Sequence, residues 1–283
     1  MTGAELSAAF AAAGAAGWGH VAYERLLPAM GREAQDRAEA LCPGAQSVLV
    51  AAFPYYAGRT PGNLSLYARG RDYHLVITEA LTTICHMLEE KYGSYRFVPG
   101  ADNSPLPERE AARLAGLGMI GRHGLVILPP YGSWIFLGTI LTDLDLALPA
   151  ALPSGGCMAC GKCLSACPGG ALRGDSFDPE RCLSHLTQKK GELPPEQEAL
   201  VAAHPLIWGC DVCQLVCPHN AGAVETPLVP FREDRLDSLT SEAVEGLTNR
   251  QFREAYGERA FAWRGPAVLR RNLALQKKEV TNA

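Results

Sequence analysis

Ten cysteines occur in the 283-residue chain, and eight of them fall between positions 157 and 217 in two runs. The first run is Cys157-x-x-Cys160-x-x-Cys163-x-x-x-Cys167, followed by Pro168. The second is Cys182, then Cys210-x-x-Cys213-x-x-x-Cys217, followed by Pro218. Two residues between thiolates let a tight loop place both sulfurs on one iron–sulfur cube while nearby amides donate to its sulfides. Gly161, Gly169 and Gly170 allow the loop to turn without a side chain in the way. Such crowding reads as metal ligation in a reducing compartment rather than as a disulfide framework. Structural zinc is the alternative that paired Cys-x-x-Cys spacing leaves open.

The first run has the spacing of the bacterial ferredoxin motif, in which the fourth cysteine of each run crosses to the other cluster. One [4Fe–4S] cluster is then expected on Cys157, Cys160, Cys163 and Cys217, and a second on Cys182, Cys210, Cys213 and Cys167. Cys42 and Cys85 stand outside the pattern and read as small apolar residues.

An electron path needs a domain in which it ends. With 47% hydrophobic residues and a formal net charge of −4, the chain is long enough for two cores and gives no global reason to expect nucleic-acid binding. Its apolar runs are shorter than the roughly 20 residues of a membrane span, and its first residues lack a basic leader region. A cytoplasmic protein with no membrane contact is expected. Helical and strand patterns alternate through 1–150, which predicts an α/β domain. The expected elements are a helix over 5–15, strands over 20–23 and 47–53, a long helix over 72–91 and a short strand over 95–98. A turn over 105–117 enters a helix, and strands at 125–128 and 134–141 form a hairpin through Pro129, Pro130 and Gly132. Residues 148–156 read as a linker, 151–223 as the cluster domain, and 224–283 as a helical segment with a last helix over 266–278.

Four blocks in the expected order carry a resemblance to a known family. They are Tyr67-Ala68-Arg69-Gly70-Arg71-Asp72-Tyr73-His74; Gly100-Ala101-Asp102-Asn103-Ser104-Pro105-Leu106-Pro107-Glu108-Arg109 running into Gly118-Met119-Ile120-Gly121-Arg122; Gly132-Ser133-Trp134-Ile135-Phe136-Leu137-Gly138; and Trp208-Gly209-Cys210-Asp211-Val212-Cys213-Gln214. Together with the cysteines, they resemble the epoxyqueuosine reductases. The chain departs from that family at Met119, Arg122 and His123, where Trp, Lys and Asn are usual.

The resemblance implies a nitroreductase-like α/β domain that holds cobalamin, followed by the two-cluster domain. It implies an oxidoreductase that reduces epoxyqueuosine to queuosine at the wobble position of tRNA, the last step of queuosine biosynthesis. Asp102 matches the family's proton donor, a role that suits a carboxyl group kept protonated by burial. Tyr67, Arg69, Asp72, Tyr73, His74, Glu108, Arg109, Gly121 and Arg122 would line or organise the cobalamin and substrate pocket. Asp72-x-His74 lacks the glycine of a cobalt-ligating histidine motif, so no protein histidine is expected on cobalt. The implied partners are a tRNA anticodon stem-loop and an external low-potential donor such as ferredoxin or flavodoxin. Longer members continue into helical repeats, so this chain reads as a short form.

From Arg250 to Lys278 there are eight Lys or Arg against Glu254 and Glu258, an excess of six that could hold phosphates. Two other readings compete: a cobalamin-dependent reductase of a small molecule, and a non-catalytic iron–sulfur electron carrier.

Overall fold

The structure is a computed structural model that describes residues 2–146, 148, 155–174 and 176–282, with side chains through residue 277. The expected linker at 148–156 lies largely outside the described residues, as does the side chain of Lys278. Two compact units emerge, and neither is continuous in sequence. One comprises 1–55, 73–158 and 222–228; the other comprises 56–72, 159–221 and 229–283.

The first unit is built on a four-stranded sheet in the order β1 (Gly17–Ala22), β2 (Ser47–Pro54), β6 (Ile135–Thr142), β3 (Phe97–Gly100). Every pairing in it is antiparallel, so it lacks the parallel strands that alternating helices and strands suggest. β2 is buried along its whole length, which fits an apolar run sandwiched between two layers. Its alternating side chains feed two cores. Val48, Val50 and Ala52 pack with Ala38 of α2 (Arg32–Leu41) and with Ala111 and Ala112 of α4 (Glu108–Leu114). Leu49, Ala51 and Phe53 pack with Leu6 and Phe10 of α1 (Gly3–Ala12) and with Ile77, Leu81, Ile84 and Leu88 of α3 (Tyr73–Tyr92). At about 1.5–3 kcal/mol for each large side chain buried, these layers stabilise the unit far more than any surface pair does. Gly138 of β6 permits α3 to approach, since a Cβ there would lie 2.6 Å from Ile77 and 2.8 Å from Leu81.

The expected hairpin is not formed. β5 (Val126–Ile127) pairs instead with β4 (Met119–Ile120), while β6 joins the main sheet, and only an isolated bridge links Leu128 to Gly132. The two prolines remove two amide donors from the intervening turn, and β6 is long enough to pair on both edges with β2 and β3.

In the second unit, α5 (Lys162–Ala166), β7 (Leu172–Arg173), β8 (Ser176–Phe177), α6 (Leu183–Leu186), α7 (Pro195–Ala202) and α8 (Val212–Leu215) form the cysteine module. α9 (Val229–Arg232), α10 (Ser241–Val244), α11 (Asn249–Tyr256) and α12 (Pro266–Asn282) complete it. Asn272 of α12 is fully buried and donates to the carbonyls of Thr187 (2.8 Å) and Ile207 (2.7 Å), tying the last helix to the module. The segment 56–72, expected within the first domain, packs here: Ser65 N–H donates to the Trp208 carbonyl at 2.9 Å and Ile207 N–H to the Asn63 carbonyl at 2.7 Å. No helix among the described residues is long and apolar enough to cross a membrane.

Candidate functional site

Short helices bracket the cysteines: α5 contains Cys163 and ends at Cys167, and α8 contains Cys213. Burial pushes the thiols of Cys210 and Cys213 up to about 12, and the neighbouring sulfurs of Cys182 and Cys167 push both in the same direction. Cys163, of the other expected set, acts on Cys213 as well, so these sulfurs neighbour one another without dividing into the two expected sets. Thiols so placed ionise by binding metal rather than by losing protons to water. Ala171 N–H donates to Cys167 Sγ at 3.3 Å, the kind of amide contact that stabilises a cluster thiolate. Cys163 and Cys217, of the other set, are buried as well. Among the described residues no three His, Cys, Asp or Glu converge closely enough to hold one metal ion, whereas a cube draws each thiolate to a different iron. Cys42 and Cys85 are buried in the first unit, with burial pushing Cys85 up to about 12, as expected of small core residues.

A second cluster of side chains lies in the first unit where β3 ends. Asp102 has φ 59°, a left-handed conformation that costs a non-glycine residue about 1–2 kcal/mol, though Asp tolerates it better than most. Tyr73 Oη donates to Asp102 Oδ2 at 2.9 Å, and His74 Nε2 lies 3.4 Å from the same oxygen. Asp102 N–H donates to Glu108 Oε1 at 3.0 Å. Both Tyr73 and His74 belong to the first turn of α3, and Tyr73 is sandwiched by Phe136 (centroids 4.2 Å) and His74 (4.0 Å). The Asp102 side chain is 65% exposed, and the hydrogen bond from His74, then that from Tyr73, holds its carboxyl below the usual range against opposing desolvation. Burial and the Asp102 carboxylate together push Glu108 up to about 8. The expectation that burial keeps Asp102 protonated is corrected: in this arrangement the carboxyl protonated at neutral pH is Glu108.

Comparison with known proteins gives this geometry its context. A family model for a 4Fe-4S double cluster binding domain matches residues 156–220, and the model for epoxyqueuosine reductase QueG, DUF1730, matches 36–102. An epoxyqueuosine reductase of Synechococcus sp. is 37% identical over 247 residues, covering 83% of this chain and 75% of its own length. The chain belongs to the epoxyqueuosine reductase family. The Lactococcus garvieae member is 34% identical over 215 residues, 75% of this chain and 60% of that protein, and the Bacillus cereus member is covered over 66% of its length. This chain thus spans about two thirds or less of the Lactococcus garvieae and Bacillus cereus proteins. An epoxyqueuosine reductase solved with a tRNA-Tyr epoxyqueuosine-modified stem-loop superposes with TM-score 0.83 at 26% identity, over 99% of this chain and 82% of that one. The Bacillus subtilis enzyme, solved with its catalytic Asp loop swung out of the active site, gives TM-score 0.83 at 27% identity, over 99% of this chain and 82% of that one. The family uses two [4Fe–4S] clusters and cobalamin.

The family's blocks fall partly in one unit and partly in the other. Tyr73, His74, Asp102 and Glu108 meet in one cluster. Arg109 Nη1 donates to the Gly124 carbonyl at 2.7 Å, so it braces the turn between β4 and β5. In that turn Gly121 is required by proximity, since a Cβ would lie 2.7 Å from the His123 ring, while Arg122 is exposed. Tyr67, Arg69 and Asp72 fall in the second unit. There the Arg69 guanidinium is 4% exposed and spent inside the protein, on the carbonyls of Leu64 and Thr60 and on Asp237 at 3.0 Å. Tyr67 Oη accepts from Trp208 Nε1 at 2.8 Å. Arg69 and Tyr67, expected at the pocket, are held by these partners within the second unit. Asp211, of the fourth block, is buried and accepts from Ser65 Oγ and from Leu66 N–H.

Phe136 and Tyr55 support the site beneath Tyr73, with centroids 4.3 Å apart. Tyr55 escapes sequence reading because it sits one residue beyond β2, where an aromatic is as readily ordinary core.

Proposed function

We propose that the chain is an oxidoreductase that reduces epoxyqueuosine to queuosine in the anticodon stem-loop of tRNA. The observation that carries this reading is the Asp102 cluster, with an exposed carboxylate held by Tyr73 and His74 on the residue whose sequence block resembles that of the family's proton donor. Removal of the epoxide oxygen consumes two electrons and two protons, leaves a double bond in the ring and releases water. The eight clustered cysteines would hold the two clusters that deliver electrons. Cobalamin, when bound, supplies a strongly reducing cobalt centre, and the first unit is the nitroreductase-like part that would hold it. His74 is turned to Asp102 and stacked on Tyr73, which suits cobalamin held without a protein histidine on the metal.

The chain's own residues then manage the protons. Covering the exposed Asp102 carboxylate with substrate and cofactor removes its water and raises its proton affinity toward that of a useful donor. His74, charged, can pass it a proton across 3.4 Å. A low-potential ferredoxin or flavodoxin is the proposed electron source, and the cytoplasm the proposed compartment.

The test is anaerobic incubation of the cluster- and cobalamin-loaded protein with an epoxyqueuosine-containing stem-loop and a low-potential reductant. The expected product has lost one oxygen atom by mass. Retention of cobalamin with no turnover of stem-loop or nucleoside would refute the reading, and turnover of the free nucleoside alone would reassign the substrate to a small molecule.

A further inference from the structure

The loop carrying Asp102 is held in the two cores by the buried Ala101 and Leu106, while Asp102 and Asn103 between them are exposed. A cavity of about 290 Å³ lies against it, lined by His74, Thr78, Asn103, Ser104, Leu106 and Thr139. Its backbone is strained at Asp102 (φ 59°), and the side-chain contacts from Tyr73 and His74 hold the carboxylate rather than the main chain. Besides the turn hydrogen bond from Asn103 N–H to the Ala101 carbonyl at 2.6 Å, three side-chain contacts fix the main chain. Ser104 Oγ accepts from Leu106 N–H at 3.0 Å, Arg37 Nη2 reaches the Asn103 carbonyl at 3.4 Å, and Glu108 Oε1 accepts the amide of Asp102 itself at 3.0 Å. Of these only Glu108 acts on the strained residue. It does so from the first turn of α4, a helix anchored by the fully buried Ala111 and Ala112.

We propose that Glu108 is a positioning residue that latches the Asp102 loop to α4, so that the acid is presented in one conformation. The latch deepens the proposed reductase activity and rests on that reading for its consequence in turnover, but not for its structural content. Two titratable groups face Glu108, Asp102 on the loop and His74 of α3; an ionised Glu108 would accept from the amide more strongly but would also face the Asp102 carboxylate. A second negative charge beside the Asp102 carboxylate would repel it. Burial and that same carboxylate push Glu108 up to about 8 against the opposing pull of the amide bond, so ionisation above that value sets charge repulsion against the latch. A glutamine keeps the carbonyl acceptor and cannot ionise; an alanine removes the latch.

The experiment compares wild type, Glu108→Gln and Glu108→Ala, each loaded with clusters and cobalamin, by hydrogen exchange of the 101–106 segment and by stem-loop turnover. Exchange should match wild type in Glu108→Gln at pH 7 and be roughly fivefold or more faster in Glu108→Ala. Turnover in Glu108→Ala should fall about tenfold or more in kcat with KM within about twofold, the signature of impaired orientation rather than impaired binding. Wild type should lose kcat above pH 8, whereas Glu108→Gln should keep it. Equal exchange and equal kcat in wild type and Glu108→Ala overturn the latch, as does a Glu108→Gln variant as impaired as Glu108→Ala. If the alanine variant does not fold, the glutamine variant decides, since an alkaline loss that survives in it overturns the proposal. If wild type itself gives no turnover, the activity reading fails while hydrogen exchange still decides the latch.

Discussion

Tyr73 lies flat on Phe136, with ring centroids 4.2 Å apart and planes 10° from parallel. Phe136 is fixed in β6 opposite Phe53 of β2, so the phenol on the first turn of α3 inherits the rigidity of the sheet. The hydroxyl at the end of this stack is what meets Asp102. Tyr73→Phe should keep the stack and lose only that hydrogen bond. The expected result is a Tm close to wild type and a turnover loss of about threefold to tenfold, the scale of roughly 0.5–1.5 kcal/mol for one hydrogen bond. A turnover equal to wild type would take Tyr73 out of the acid's support.

Asp102→Asn should retain iron, sulfide and cobalamin yet lose about 10²–10⁴-fold in turnover, because the amide is nearly isosteric but yields no proton. The pH dependence of stability has a definite sign. His74, and after it Tyr73, hold the folded-state carboxyl below its unfolded value, so the ionised form stabilises the fold above the ordinary carboxylate range. That contribution is lost as pH falls through the depressed folded value. Acid melting curves of wild type should therefore drop more steeply below about pH 4 than those of Asp102→Asn. Parallel curves would mean that the His74 and Tyr73 contacts do not form in solution.

The cysteine spacing is readable because cluster ligation is local: two residues between thiolates dictate the loop whatever surrounds it. The crossed set of Cys167, Cys182, Cys210 and Cys213 is an expectation from the same rule, and the fold brings sulfurs of both sets near Cys213. The long apolar helix and the buried β2 are legible from periodicity, with α3 at Tyr73–Tyr92 and β2 at Ser47–Pro54. The hairpin through Pro129 and Pro130 fails as an expectation because strand partners are set by nonlocal pairing, and nearness in sequence favours the wrong partner for β6. α2 carries one buried residue, Ala38, too weak an apolar stripe to read. Arg69 resembles a pocket residue in sequence, and only the fold reveals its buried partners, Asp237 among them.

Cys182→Ser separates the two clusters. The ferredoxin rule assigns Cys182 to the set with Cys167, Cys210 and Cys213, and on that assignment the variant should fall from about eight irons per chain to about four. Loss of both clusters, or of neither, would contradict the crossed assignment.

Arg69→Ala should destabilise rather than merely slow the protein. Its guanidinium is buried and bonded to two carbonyls and to Asp237, and removing one partner of a buried pair costs about 3–5 kcal/mol. In a unit of this size that is a Tm loss on the order of 10 °C. Arg69→Lys should recover little, since a single ammonium cannot reproduce the forked contacts. A thermally unaltered alanine variant with weakened cobalamin retention would instead return Arg69 to the pocket.

The basic segment at the end of the chain is less free than its composition suggests. Arg271 donates to the carbonyls of Lys189 and Gly191 at 2.7 Å each and of Leu186 at 3.2 Å, and Arg259 pairs with Asp234 at 2.7 Å. Arg250 and Arg253 project from the exposed side of α11, where Arg250 has only its helix neighbour Glu254 at 2.8 Å, and Lys277 is 3.9 Å from Glu242. Exposed pairs of this kind are worth about 0–1 kcal/mol and release readily to a phosphate. Neutralising Arg250, Arg253 and Lys277 together should therefore weaken stem-loop binding while leaving Tm almost unchanged. The slope of log affinity against log salt should become shallower by about 0.9 for every phosphate that one of these cations neutralises in the wild-type complex. Arg271→Gln should do the reverse, lowering Tm with the salt slope intact. A triple variant with wild-type affinity at both low and high salt would show that these cations serve only as a solvated surface, and that the stem-loop is held elsewhere on the protein.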